Sequence, residues 1–261
     1  MIKLFISDID GTILHNGTIS PHDIDALHTA VKQGVTLCFA SGRLDNEITH
    51  LLQETNVPFH RISQNGAFIH THTNEQLHAT AFEQDILADL LEAVEGDNFV
   101  VYISDANTYY IKKKCDLVRE IEERANLTSI ELPTLYEEIG NTIHPVKFAI
   151  GGETEDLFTL QKKISAQFGD RISAYISAPQ CLDIVPANVS KGGSIMMLLE
   201  TLGLKPEETA CIGDSYNDLP MFKVIPNSFA MENADDAVKK HTKYVVPSVK
   251  DAIDIILATR V

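Results

Sequence analysis

The sequence predicts an α/β protein in which both ends of the chain form one doubly wound parallel sheet, interrupted by an inserted α+β domain. Two observations support this fold class. Apolar segments near both ends are continuous rather than alternating, as in strands of a parallel sheet covered on both faces. The middle of the chain instead has alternating segments between helical patterns, which is typical of a half-exposed sheet.

The first part of the core is predicted for residues 1–80. Its strands "IKLFISDI" and "VTLCFAS" flank a helix for which Ser20 is the candidate N-cap, Pro21 the first residue and Gly34 the terminator. Together they form a βαβ unit. A helix in "LDNEITHLLQETN" and a hairpin or strand pair in "QNGAFIHTHTNEQLHATA" follow.

The inserted domain is predicted for residues 81–185. Three helical patterns there ("EQDILADLLEAVE", "CDLVREIEERA" and "TEDLFTLQKKISAQF") are interleaved with three strand-like segments ("NFVVYISD", "PVKFAIGG" and "RISAYISA"). The earlier pattern returns over residues 186–261, with a first helix predicted at 194–203. The two ends therefore combine into one Rossmann-like core.

Composition excludes several functions. The chain has 261 residues, 44% of them hydrophobic, and a formal net charge of −16. That charge would repel a polyanion, so no nucleic-acid partner and no anionic membrane surface is expected. An anionic ligand would need a local cation.

Two features predict a cytoplasmic protein. The sequence lacks an apolar run of about 18 residues and a basic flank before its first strand, so neither a membrane span nor a signal peptide is expected. The four cysteines are scattered without metal-site spacing and are interpreted as reduced. Both a monomer and a homodimer are compatible with the sequence.

Polar residues gather where the predicted core strands end. Ligands of open α/β sheets bind beyond the carboxyl ends of the strands, so these residues belong to one candidate site. They are Asp8 and Asp10 after the first strand, Ser41, Gly42 and Arg43 after the second, Lys191 and Gly192 where the core resumes, and Gly213, Asp214, Asn217 and Asp218 after "TACI".

Each of these groups alone has an ordinary structural explanation, such as an N-cap, a turn or a solvated lysine. Their combination is harder to explain in that way. Three carboxylates converging at strand ends would repel one another unless a cation lay among them. A hard divalent ion with oxygen ligands, such as Mg²⁺, is the natural choice.

The order of these motifs resembles that of a known family. "DIDGT", "ASGR", the pair Lys191–Gly192 and "GDSYNDLPMF" look like the four motifs of the haloacid dehalogenase superfamily, in its Cof-type subgroup of Mg²⁺-dependent phosphatases. The "NGA" of residues 65–67 also matches that subgroup. The resemblance covers about residues 1–80 and 185–261, and it implies that the insertion is an α/β cap that closes over the active site.

The resemblance also implies roles for individual residues. Asp8 would be the nucleophile that forms an aspartyl-phosphate, and Asp10 would be the general acid and base. Mg²⁺ would be held by Asp8, by Asp214 and by the backbone carbonyl of Asp10. Substrate phosphate would be bound by Gly11, Thr12, Ser41, Gly42, Lys191 and Asn217, with Asp218 in support. The role of Arg43 stays open between loop anchoring and leaving-group contact.

The predicted function is therefore Mg²⁺-dependent hydrolysis of phosphomonoesters of small metabolites, with sugar phosphates among the candidates. A phosphotransferase or mutase of the same superfamily is one alternative, because an aspartyl-phosphate can pass its phosphoryl group to a hydroxyl other than water. A phospho-accepting regulatory domain and a non-catalytic binding protein are less favoured. A phospho-accepting regulatory domain would need neither the inserted domain nor a general acid such as Asp10.

Overall fold

The structure is a computed structural model that describes residues 1–96 and 98–258. The described residues divide into two compact units. One is formed by Met1–Ala79 with Ser190–Val261 and is called the core unit below, and the other, the inserted unit, is Thr80–Val189. None of the described helices combines the length and the hydropathy needed to cross a membrane.

Strands and helices alternate along most of the chain. The strands are β1 (Leu4–Ser7), β2 (Leu14–His15), β3 (Thr18–Ile19), β4 (Thr36–Ala40), β5 (Phe59–Ser63), β6 (Phe68–His70), β7 (Gln76–Ala79), β8 (Val100–Ser104), β9 (Tyr109–Ile111), β10 (Ser129–Glu131), β11 (Lys147–Gly151), β12 (Ile172–Ala178), β13 (Cys181–Pro186), β14 (Thr209–Gly213), β15 (Asn227–Met231) and β16 (Tyr244–Val246). The helices are α1 (Pro21–Lys32), α2 (Asp45–Leu52), α3 (Leu87–Val94), α4 (Asp116–Ala125), α5 (Leu135–Glu138), α6 (Thr154–Phe168), α7 (Lys191–Leu202), α8 (Leu219–Val224), α9 (Asp236–Lys239) and α10 (Val249–Ala258).

The core unit contains an eight-stranded sheet in the order β16-β15-β14-β1-β4-β5-β6-β7. Pairing is parallel from β16 to β5 and antiparallel for β5 with β6 and for β6 with β7. The strand order reverses direction at β1, which lies between β14 and β4. Open sheets of this kind bind ligands at that switch point, so the end of β1 is the expected place for a site.

Both faces of the sheet are covered, which explains the continuous apolar segments. Phe5 of β1 packs in one cluster with side chains of α1 and α10, such as Leu27 and Ile253. Leu4 and Ile6 point to the opposite face and pack with α7 and α8. Successive residues of β1 alternate between the two faces, so each must be apolar.

The inserted unit has its own six-stranded sheet, in the order β10-β9-β8-β11-β13-β12. Its pairs are antiparallel except for β9 with β10. Phe148 and Ile150 of β11 face a separate apolar cluster that includes Leu157 and Ile164 of α6. The alternating residues of these strands therefore bury one face on helices, as the sequence pattern indicates.

One helix of the core begins earlier than predicted. α7 begins at Lys191 rather than at Ser194, because the Ser190 side chain caps it by accepting the backbone N–H of Gly193 at 3.1 Å. The apolar periodicity that marks the helix in the sequence begins only after its first turn. The early start matters because it makes Lys191 the first helical residue.

Candidate active site

The site begins where β1 ends. Asp8 follows β1 directly, and its backbone N–H donates to the carbonyl of Ile212 at 3.0 Å, which continues the pairing with β14 by one residue. Asp214 directly follows β14, and Ser41 directly follows β4. Because these three strands are parallel neighbours, the residues that follow them lie at the same edge of the sheet.

Lys191 joins the carboxylates of this edge. Its Nζ lies 2.5 Å from Oδ1 of Asp8 and 2.6 Å from Oδ1 of Asp218. The lysine side chain is 0% exposed and that of Asp8 is 7% exposed. Burial opposes the charge of Lys191, but Asp218 and Asp8 outweigh it and raise the lysine pKa above its usual value. The ammonium is therefore a permanent positive charge inside the site.

Asp218 and Thr12 fix the neighbouring Asp214. Oδ2 of Asp218 accepts the backbone N–H groups of Asp214 at 2.9 Å and Ser215 at 3.0 Å. The hydroxyl of Thr12 donates to Oδ1 of Asp214 at 2.8 Å. Both oxygens of Asp218 are thus engaged within the protein, one by Lys191 and one by the backbone, which suits a supporting role.

Gly11 is required by the close approach of Asp214. Its φ of +82° lies in the left-handed region, and a Cβ at this position would lie 2.4 Å from Oδ2 of Asp214. Only glycine combines that backbone conformation with that contact. The turn after Asp10 is therefore shaped around the Asp214 carboxylate.

The donor set fits Mg²⁺. Asp8, Asp214 and Asp218 each offer an oxygen, and these atoms all lie within 4.8 Å of one another. Three carboxylates against the single charge of Lys191 leave a formal excess of two negative charges, which a divalent ion would balance. Oxygen donors are those that Mg²⁺ prefers, and it needs only one or two carboxylates besides water and phosphate.

Burial and the neighbouring negative charges also change the pKa values of two of these acids. Burial raises the pKa of Asp8 well above its usual range, with smaller contributions from Asp218 and Asp214, although Lys191 opposes the shift. Burial, followed by the charge of Asp218, raises the pKa of Asp214 to about 6. A bound cation would favour the charged form of both groups.

Asp10 lies apart from this cluster and is held by Arg43. Nε and Nη2 of Arg43 donate to the two carboxylate oxygens of Asp10 at 2.7 and 2.8 Å. The side chain of Asp10 is 49% exposed, whereas that of Arg43 is 17% exposed. Asp10 is therefore a solvent-facing carboxylate in a fixed orientation, unlike the buried Asp8.

The other predicted phosphate-binding residues lie in loops beside the cluster. Ser41 is buried, and its Oγ accepts the backbone N–H of Arg43 at 3.2 Å, with Gly42 between the two residues. Asn217 lies in a short 3-10 turn, Tyr216–Asp218, and its Nδ2 donates to Oδ1 of Asn65 at 3.1 Å.

Two residues for which the sequence predicts no definite role contact the predicted site residues directly. The sequence is compatible with two roles for Arg43, and the structure pairs it with Asp10. Asn65 belongs to the "NGA" motif, which predicts no contact for it, and it contacts Asn217. Both contacts join residues more than 30 positions apart, so local sequence patterns carry no signal for them.

Comparison with known proteins identifies the family. A family model described as haloacid dehalogenase-like hydrolase matches residues 5–254. The chain belongs to this family. The match extends across the inserted unit as well as both parts of the core.

Individual relatives of this family agree with that result. The HMP-PP phosphatase of Klebsiella pneumoniae is 26% identical over 245 residues, which are 92% of this chain and 87% of that protein. A haloacid dehalogenase-like hydrolase from Bacteroides thetaiotaomicron has a similar structure, with 26% identity, a TM-score of 0.84 and coverage of 98% and 100% of the two chains.

A sugar phosphatase of the haloacid dehalogenase subclass IIB shares the fold, with a TM-score of 0.82, 20% identity and coverage of 98% of each chain. The predictions of the family, of the α/β fold class and of a phosphatase are thus confirmed.

Proposed function

We propose that the chain hydrolyses phosphomonoesters of small metabolites with Asp8 as the nucleophile and Mg²⁺ as the cofactor. The observation that carries the proposal is the buried ammonium of Lys191 between Asp8 and Asp218, next to the carboxylate of Asp214. Phosphoryl transfer depends mainly on positioning and on positive charge against the transferring oxygens. Lys191 supplies that charge in an otherwise acidic protein.

In the first step, an oxygen of Asp8 forms a bond to phosphorus while the bond from phosphorus to the ester oxygen breaks. Asp10, which enters this step in its protonated form, gives that proton to the leaving alkoxide, which departs as an alcohol. The product is an aspartyl-phosphate on Asp8. Lys191 stays beside the reacting oxygens and offsets the charge that the phosphoryl group carries.

In the second step, water replaces Asp8 on phosphorus. Asp10, now a carboxylate, takes a proton from the attacking water, and the bond between Asp8 and phosphorus breaks. Inorganic phosphate leaves, and both aspartates return to their initial states. Ser41 and the Gly42 amide are assigned to hold the phosphoryl oxygens in place, and Asn217 is assigned to orient the bound phosphate through the water molecules around it.

Mg²⁺ would be held by Asp8, Asp214 and the backbone carbonyl of Asp10, with Asp218 holding Lys191 rather than the metal. It would supply a further positive charge against the phosphoryl oxygens. Thr12 and Gly11 serve this arrangement indirectly, because both contact Asp214.

The inserted unit is proposed to be a cap that selects the leaving group. Small phosphorylated metabolites are the proposed substrates, in line with relatives named HMP-PP phosphatase and sugar phosphatase. We also propose that the protein is located in the cytoplasm.

A phosphate-release screen over phosphorylated metabolites, with and without Mg²⁺, tests this function. Wild type, Asp8→Asn and Asp116→Asn are compared, the last being a control because the side chain of Asp116 is fully exposed. We expect multiple turnovers that need Mg²⁺, vanish in Asp8→Asn and persist in Asp116→Asn.

Other results would contradict the proposal. Full Mg²⁺-dependent activity in Asp8→Asn would exclude the mechanism. A single stoichiometric phosphorylation without turnover would favour a regulatory domain. Faster turnover with added sugar acceptors, together with a transferred phosphoryl product, would favour a phosphotransferase.

A further inference from the structure

The turn after β5 has an unusual backbone. Gln64, Asn65 and Gly66 have φ values of +48°, +58° and +113°, so three successive residues are left-handed. Asparagine and glycine tolerate this region, but glutamine rarely adopts it. Backbone strain of this kind persists only where surrounding contacts hold it, and it concentrates at functional sites.

The contacts that hold the turn come from the loops of the candidate site. The backbone N–H groups of Gln64 and Asn65 donate to the carbonyls of Arg43 and Ser41, each at 2.9 Å. The hydroxyl of Ser194, in the first turn of α7, donates to the carbonyl of Gly66 at 2.7 Å. The turn therefore links the Ser41 loop to the helix that carries Lys191.

Asn65 extends this linkage to a third segment. Its side chain is buried, and its Oδ1 accepts Nδ2 of Asn217 at 3.1 Å. The other end of the Asn217 amide, Oδ1, is also buried and has no donor among the described residues. A buried acceptor without a donor is costly, so a partner from outside the chain is expected to satisfy it.

We propose that Asn65 is a positioning residue for the phosphatase reaction and acts through Asn217. By holding one end of the Asn217 amide, it fixes the direction of the other end. That end then meets a donor brought by the bound substrate or by its water molecules. This inference rests on the proposed function, because it assigns Asn65 to the same site.

Asn65→Gly isolates the side chain from the backbone. Glycine keeps the left-handed conformation without strain, so this variant removes the side-chain contacts of Asn65, including the one with Asn217, and leaves the backbone conformation unchanged. Asn65→Ala removes the same side-chain contacts and adds backbone strain. Asn217→Ala and the double variant Asn65→Gly with Asn217→Ala complete a cycle that measures whether the two residues act as a unit.

We expect Asn65→Gly to lower kcat/KM about tenfold, the typical effect of one lost hydrogen bond to a buried group. In the Asn217→Ala background the same substitution should change kcat/KM less than about twofold. Asn65→Ala should match Asn65→Gly in kcat/KM and melt at a lower temperature. Losses that multiply in the double variant would show that Asn65 does not act through Asn217 and would overturn the inference.

A second measurement is independent of turnover. The side-chain NH₂ signals of Asn217 in an amide NMR spectrum are identified by their disappearance in Asn217→Ala. In Asn65→Gly they should move and exchange faster with solvent, and unchanged signals would contradict the contact. A wild-type protein without turnover would overturn the proposed function and this inference together, and it would be recognised before any variant was compared.

Discussion

Nζ of Lys191 lies 2.5 Å from Oδ1 of Asp8, although the two residues are 183 positions apart in the chain. The pair is buried, and its second carboxylate partner, Asp218, is also buried. Because Asp8 and Asp218 both depend on the ammonium of Lys191 for charge balance, we expect this lysine to contribute to the stability of the fold as well as to the proposed reaction.

Lys191→Met should therefore impair both properties. Removing one partner of a buried ion pair leaves uncompensated charge, and we expect a loss of about 3–5 kcal/mol in the free energy of unfolding near neutral pH. Phosphate release should fall below detection. Urea unfolding measures the first effect, with Lys3→Met as control, because Lys3 pairs with Glu208 at the surface, where solvent screens the interaction. Equal losses in the two variants would contradict this role.

Stability should depend on pH through Asp214. Its pKa is raised in the folded protein from 3.8 to about 6. An acid whose folded pKa lies above its unfolded value stabilises the fold when protonated, and this contribution disappears as the pH rises through about 6. The contribution is about 3 kcal/mol at most. In EDTA, wild type should therefore lose stability relative to Asp214→Asn as the pH rises from about 4 to about 7. The measurement is the difference between their free energies of unfolding at each pH.

Mg²⁺ should reverse that trend. A cation bound to ionised carboxylates stabilises the folded state most where the carboxylates are charged. We expect Mg²⁺ to raise the wild-type melting temperature more at about pH 8 than at about pH 5, and to have little effect on Asp214→Asn. An equal increase at both pH values, or in both proteins, would argue against a metal site at Asp214.

Gly11→Ala should damage the metal site without unfolding the protein. The new Cβ would lie 2.4 Å from Oδ2 of Asp214 and force that carboxylate to move. Gly17→Ala is a matched control, because Gly17 has a similar φ of +75° with open space around the position of a Cβ. Both variants incur a backbone cost of about 1 kcal/mol, but only Gly11→Ala should weaken Mg²⁺ binding, measured by calorimetry. Similar Mg²⁺ affinities in the two variants would contradict the close approach.

We expect Arg43 and Asp10 to act together in protonating the leaving group. The rate lost on changing either residue should therefore depend on the leaving group of the substrate. Asp10→Asn removes the acid, so hydrolysis of alkyl phosphates should fall by about 10²–10⁴. With an aryl phosphate, which has a good leaving group, Asp10→Asn should lose less of the rate of the first step. A burst of released phenol should then be seen. Arg43→Met should follow the same substrate dependence and add little to Asp10→Asn. Equal losses on alkyl and aryl substrates would indicate a different role for the pair.

Most of the core could be predicted from the sequence, because the physical causes are local. β1 and β4 are apolar throughout since both faces of the sheet are covered, and Ser20 and Pro21 mark the start of α1. The short strands β2, β3 and β16 have too few residues to show a period. β13 is an apolar run near the predicted domain boundary for which no strand is predicted from the sequence, and it pairs with β11 and β12.

The candidate site, like the core, could be predicted from the sequence only in part. Asp8 and Asp214 could be singled out because each follows an apolar strand-like segment, and Lys191 because it stands where the core pattern resumes. The pairing of Arg43 with Asp10 and the contact of Asn65 with Asn217 depend on how strands β4 and β5 lie beside β1 and β14. Such contacts follow from the assembled sheet, so only the structure could provide them.

The most direct test of the central claim is to trap the phosphoryl group on Asp8. Asp10→Asn is mixed with a good-leaving-group aryl phosphate and Mg²⁺, quenched in acid, digested and analysed by mass spectrometry. We expect one phosphoryl group on the peptide containing Asp8, and none when Asp8 is also changed to Asn. Turnover by the wild type with no phosphoryl group on this peptide at any quench time would contradict it.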